Sequence, residues 1–86
     1  MALRRVVITA AAGLHARPAA ELARLARTRE SGIRIRTASA TVDAGSVLAV
    51  MDLALTRGQE VVLEAEGPGA DAALDIAESL LAPRGL

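Results

Sequence analysis

No Phe, Tyr or Trp occurs anywhere in this 86-residue chain. Its core must therefore come from Leu, Val, Ile and Ala, and no ring is available to stack on nucleic-acid bases. Cysteine is absent as well, which excludes disulfides, thiolate metal sites and redox motifs. That absence fits a reducing cytoplasm without demanding one. Lysine is missing too: all ten basic residues are Arg, which we ascribe to genome composition rather than chemistry. No apolar run approaches the ~20 residues of a transmembrane helix, so membrane insertion is not expected. Histidine occurs once, at position 15.

What is present reads as one small domain, residues 1–86. Linkers, repeats and low-complexity tracts are lacking. The formal net charge is zero but unevenly laid out. Residues 1–36 hold eight Arg and two acids, whereas residues 37–86 hold two Arg and eight acids. With no aromatics and no net basic charge, nucleic acid is not an expected partner. A basic first helix could instead steer an acidic protein. Arg4-Arg5 ahead of Val6-Val7-Ile8 has the outline of a secretory or twin-arginine signal. Its cleavage would remove a strand and the histidine segment, so we read it as part of the fold.

Periodicity lays out the elements. Leu3 to Thr9 reads as a strand with Val6 and Ile8 on one face. Ala19, Leu22, Ala23, Leu25 and Ala26 follow helical spacing, which predicts a helix from about Ala16 to Arg29, ended by Ser31-Gly32. Ile33 to Thr37 alternates as a half-buried strand, and Ala40 to Asp43 returns beside it. Ser46 caps a short second helix, Val47 to about Leu53. Glu60 to Glu66 is a fourth strand, with Val61, Leu63 and Ala65 opposing Val62, Glu64 and Glu66. After Gly67-Pro68-Gly69 a third helix runs from about Ala70 to Ala82, with Leu74, Ala77 and Leu81 inward. Asp71 and Asp75 suit its positive end and Arg84 its negative end. The order βαββαβα predicts an α+β two-layer sandwich, an antiparallel sheet covered on one face by helices. Other split-βαβ folds also fit that pattern.

The chemistry concentrates in Gly13-Leu14-His15-Ala16-Arg17-Pro18-Ala19. His15 is expected at or just before the first turn of its helix. Pro18, about the third helical residue, lacks an N–H that would have no intrahelical partner anyway. Free helix N–H groups, the dipole and the Arg17 fork all favour an anion. The same positive charge is expected to lower the imidazole pKa from its usual ~6.5, favouring the neutral, nucleophilic ring. A neutral imidazole can take up a phosphoryl group as phosphohistidine and release it to another acceptor. A capping or surface histidine without chemistry is the other reading of the same position.

This segment resembles the active-site signature of the HPr family, the histidine-containing phosphocarriers of the bacterial sugar phosphotransferase system. Gly45-Ser46-Val47-Leu48-Ala49-Val50-Met51 resembles the regulatory serine and second helix of that family, and the two segments lie in register. The resemblance implies a four-stranded open-faced sandwich, strand order 1-4-2-3, under three helices. It implies that His15 accepts a phosphoryl group from phospho-Enzyme I, through ring Nδ1, and passes it to the IIA domain of a sugar permease. Arg17 would balance the phosphoryl charge. The implied protein is a cytoplasmic, monomeric carrier rather than an enzyme with its own turnover, and uses no cofactor or metal. Ala16, Ala20, Arg24, Arg27, Val47, Leu48 and Met51 would form the partner-binding surface. Ser46 would be a site for the HPr kinase/phosphorylase.

The second helix supports that surface from its own pattern. Val47, Leu48, Ala49, Val50, Met51 and Leu53 make it apolar nearly all round, which a small two-layer domain cannot bury completely. We assign Val50 and Leu53 to the core, with Ala54 a further candidate, and Val47, Leu48 and Met51 to another face. Three positions depart from the family. Ala12 stands where a polar residue is frequent, Gly45 where a basic residue often precedes the serine, and Asp52 where serine is common. Gly45 bears directly on whether a kinase modifies Ser46, which is otherwise explained as a plain cap. Two alternatives share the fold. One is a phosphocarrier of a nitrogen or glycerone-kinase circuit, and the other a regulatory interaction protein with an idle histidine. The sugar and the permease are not written in the sequence.

Overall fold

A computed structural model describes residues 1–9 and 16–83. Chain order is β1 (Ala2–Val7), α1 (Ala16–Arg27), β2 (Arg34–Arg36), β3 (Thr41–Asp43), α2 (Val47–Asp52), β4 (Glu60–Ala65) and α3 (Ala70–Leu81). The strands form one sheet in the order β1-β4-β2-β3, with each neighbouring pair antiparallel. The expected α+β architecture and strand order are therefore those observed.

Alternation along β4 creates the two layers. Val61, Leu63 and Ala65 are buried toward the helices, and register sets Val6 opposite Val61 and Ile35 opposite Leu63. The helices contribute Ala19, Leu22 and Ala26 from α1, Val50 from α2, and Leu74, Ala77 and Leu81 from α3. Aliphatic side chains thus fill the core, each large one worth about 1.5–3 kcal/mol when fully buried. The other sheet face is open, and Leu3 and Val7 are exposed on it.

Two charged groups tie this frame together. Arg4, on the helix side of edge strand β1, reaches α3, with Nη1 2.7 Å from Asp75 and 3.0 Å from Glu78. These hydrogen bonds hold its guanidinium pKa above the ordinary value. On the open face Glu64 is buried, although its strand parity places it toward solvent. Arg34 Nε lies 3.3 Å from one of its carboxylate oxygens and Arg36 Nη1 3.1 Å from the other.

The elements are shorter than their sequence periods suggest. The first helix was expected to reach Arg29 but stops at Arg27. The cause is local: Thr28 Oγ1 donates to the Leu25 carbonyl at 2.6 Å, while Thr28 N–H and Arg29 N–H bond three residues back. Such bonds tighten and close a last turn. The β2–β3 connection is closed by Thr37, whose Oγ1 accepts the Ala40 N–H at 3.1 Å. The third helix, expected to run to about Ala82 ahead of Pro83, ends at Leu81 with Ala82 as its cap, while Arg84 and Gly85 lie outside the described residues.

Candidate functional site

His15, with Ala12, Gly13 and Leu14, lies outside the described residues. Its sequence neighbour Ala16 is the first residue of α1, so Pro18 is the third helical residue, as expected. The first turn carries no acidic residue. Arg17 is exposed beside this start.

From there the outer face of α1 runs through Ala16, Ala20, Arg24 and Arg27, all exposed. Ala19, Leu22, Ala23 and Ala26 face the core, so burial of one stripe presents the other. Two arginines near the end of the helix also suit the negative pole of its dipole.

α2 packs against α1. Ser46 adopts extended geometry and its Oγ accepts the Ala49 N–H at 3.2 Å, so this serine is the helix N-cap. Val50 is fully buried, and Val47 and Leu53 are half-buried against the core. Leu48 is 79% exposed and Met51 38%. The apolar excess noted in the sequence therefore resolves mainly into these two residues, with Val47 sharing itself between core and surface. Ala54 was a candidate core residue and is instead exposed. The helix closes at Asp52, and Ala54 takes a left-handed backbone (φ 50°) that swings its side chain off the buried stripe.

One side-chain bond joins the two elements. Arg27 Nε donates to the Gly45 carbonyl at 2.9 Å, across a sequence gap that no local pattern bridges. Gly45 N–H donates in turn to Asp43 Oδ1 at 2.8 Å. A Cβ at Gly45 would meet that oxygen at 3.1 Å and Arg27 Cγ at 3.6 Å. A side chain at position 45 would therefore press on the Asp43 carboxylate, whereas its contact with the Arg27 stem would be an ordinary van der Waals one. Among the described residues no group of His, Asp or Glu could hold a metal ion. No helix among them is long and apolar enough to cross a membrane.

These elements define the class of the domain as an open-faced α+β sandwich, with an exposed helix face and an apolar short helix beside it. A family model described as the PTS HPr component phosphorylation site matches residues 3–82, and the chain belongs to the HPr family. The phosphocarrier protein HPr of Streptomyces coelicolor is 42% identical over 83 residues, covering 95% of this chain and 89% of that protein. HPr of Lysinibacillus sphaericus is 39% identical over 74 residues, covering 86% of this chain and 84% of its own length. Among solved structures, the histidine-containing phosphocarrier protein of Mycoplasma superposes with a TM-score of 0.84 at 32% identity. It covers 96% of this chain and 100% of that one. HPr from Bacillus anthracis gives a TM-score of 0.83 at 31% identity, covering 93% and 95%.

Proposed function

We propose that this chain, acting as a single cytoplasmic domain, accepts a phosphoryl group on His15 from phospho-Enzyme I and delivers it to a IIA domain of a sugar permease. The observation that carries this reading is the surface following the histidine. An exposed row of Ala16, Ala20, Arg24 and Arg27 runs along α1, with exposed Leu48 and Met51 on the adjoining helix. Arginines recruit an acidic partner, and the apolar pair gives the contact an anchor from which water is excluded.

In the proposed step the lone pair of His15 Nδ1 attacks phosphorus as the bond to the Enzyme I histidine breaks, and that imidazole leaves neutral. The P–O bonds persist; His15 gives up its Nε2 proton, and the departing imidazole takes up one proton at its other ring nitrogen, so loss and uptake cancel across the step. Arg17 and the free N–H groups at the start of α1 balance the phosphoryl charge. The reverse geometry on a IIA histidine empties the carrier. Net chemistry on a small substrate is zero, so the protein is a component of a phosphotransfer chain rather than an enzyme.

Incubation with phosphoenolpyruvate and Enzyme I, followed by mass spectrometry of the intact protein, tests this. We expect an acid-labile gain of one phosphoryl group at His15, and none in His15→Ala. An unmodified protein, or a His15→Ala variant that still accepts phosphate, overturns the assignment.

A further inference from the structure

We infer that Arg27 is a positioning residue: its Nε–H, bonded to the Gly45 carbonyl, holds the segment leading into α2 in place against α1. The docking surface proposed above comes from two helices separated in sequence by the whole β2–β3 hairpin. Leu48 is most exposed and contributes little to fixing α2, while Val50 anchors the helix from below. The turn ahead of it is held by short polar bonds. Gly45 N–H reaches Asp43 Oδ1 at 2.8 Å, Ser46 N–H reaches the Asp43 carbonyl at 3.1 Å, and Arg27 Nε closes on Gly45 O at 2.9 Å.

The Gly45 carbonyl belongs to the peptide that joins Gly45 to Ser46, so the guanidine grips the backbone one residue before the helix cap. It does so with Nε alone. An arginine serving only as a surface charge for a partner would not need this bond. A lysine has no equivalent of the planar N–H that Arg sets alongside Gly45. The absence of a side chain at position 45 serves the Asp43 half of the turn, because a Cβ there would sit only 3.1 Å from Asp43 Oδ1. The clamp stands on geometry by itself, and its consequence for docking rests on the phosphocarrier reading.

Two substitutions separate position from charge. Gln carries its Nε2 the same number of bonds from Cα as Arg carries Nε, so Arg27→Gln removes the charge and keeps a donor for Gly45. Arg27→Met has a similar length and neither charge nor donor. Hydrogen exchange at the Ser46, Ala49 and Val50 amides reads the clamp directly, since these N–H groups secure the turn and the first turn of α2. Protection is expected to fall roughly three- to tenfold in Arg27→Met, the factor one ordinary hydrogen bond carries, and to stay near wild type in Arg27→Gln. Phosphotransfer from Enzyme I gives the second readout. Both variants raise KM through lost charge, but Met raises it further than Gln while the maximal rates agree. Equal exchange in the two variants overturns the clamp. Equal KM values with unequal exchange overturn its role in docking. A wild-type protein that accepts no phosphoryl group defeats the proposed function, and the exchange comparison still decides the clamp.

Discussion

Ser46 Oγ accepts the backbone N–H of Ala49 at 3.2 Å, which makes the serine of the second family motif the structural cap of α2. The hydroxyl is therefore engaged in folding whether or not it is ever modified. Ser46→Ala is expected to cost about 0.5–2 kcal/mol, the usual range for losing a side-chain cap. Ser46→Asp keeps an acceptor for the same N–H and adds a negative charge beside the helix dipole, so stability should hold or rise slightly. It should nevertheless slow transfer from Enzyme I, because the new anion sits beside Leu48 and Met51, where the proposed acidic partner would dock. That slowing should shrink as salt rises, since exposed charges are screened over about 8–10 Å near physiological ionic strength. Stopped-flow phosphotransfer at two salt concentrations, with thermal unfolding of both variants, checks each part.

Leu48→Glu should leave stability within about 0.5 kcal/mol, as surface substitutions generally do. At 79% exposure the leucine gives up little packing when replaced. Binding to Enzyme I should weaken strongly, because an unpaired carboxylate buried in an apolar contact costs several kcal/mol. Met51→Glu should do the same with a slightly larger effect on folding, as Met51 is more covered. Circular dichroism and a binding titration separate the two effects. Unfolding of both variants would mean that this pair belongs to the core.

Ala54→Gly should stabilise the protein. Ala54 sits at φ 50°, the one non-glycine residue with positive φ among the described residues. A left-handed backbone costs an L-residue with a Cβ roughly 1–2 kcal/mol, while glycine adopts it freely. Part of that gain is offset by the greater freedom of glycine in the unfolded chain. A net increase of about 0.5–1 kcal/mol is expected, or several degrees in Tm for a domain of this size. Because the Ala54 side chain is exposed, no packing is lost in exchange. Calorimetry of the single variant is sufficient, and an unchanged or lower Tm contradicts the argument.

What the sequence made legible depended on regular spacing. Leu22, Leu74, Ala77 and Leu81 are each fully buried, as helical periodicity implies, because burial of a stripe repeats every turn. Val61 and Leu63 follow from strand alternation in the same way. Features created by contacts between distant segments were hidden. Helix ends were hidden as well: Ala54 turns left-handed just past the cap Leu53, a local geometry that the apolar pattern does not mark. The Arg27–Gly45 bond depends on how α1 and α2 pack, and neither residue signals it locally. The position of His15 at the start of a helix is an expectation read from the chain, and His15 lies outside the described residues, which resume at Ala16.

Glu64 is the clearest case of a residue whose environment overrides its pattern, and its replacement should divide charge from packing. Parity in β4 puts it on the open face of the sheet, yet its side chain is only 8% exposed. Register brings Arg34 directly opposite, and Arg36 reaches the second carboxylate oxygen at 3.1 Å. Removing one member of a fully buried ion pair costs about 3–5 kcal/mol, because the partner charge is stranded without water. Here the partners are not stranded. The side chains of Arg34 and Arg36 are 41% and 49% exposed, so both guanidines can turn to solvent. Glu64→Ala should therefore lose only about 1.5–3 kcal/mol, the scale of hydrogen bonds to a charged group. Glu64→Val should cost less, since a β-branched residue suits a strand beside Leu3 and the desolvation of a carboxylate disappears. Its penalty should be a larger apolar patch on the open face, visible as association at high concentration. Both variants should still accept a phosphoryl group at the wild-type rate, because the sheet face they alter is opposite the helices proposed to form the docking surface. Denaturant unfolding, sedimentation and phosphotransfer together test this. A Glu64→Ala loss of 4 kcal/mol or more would show the arginines to be held in place without access to water.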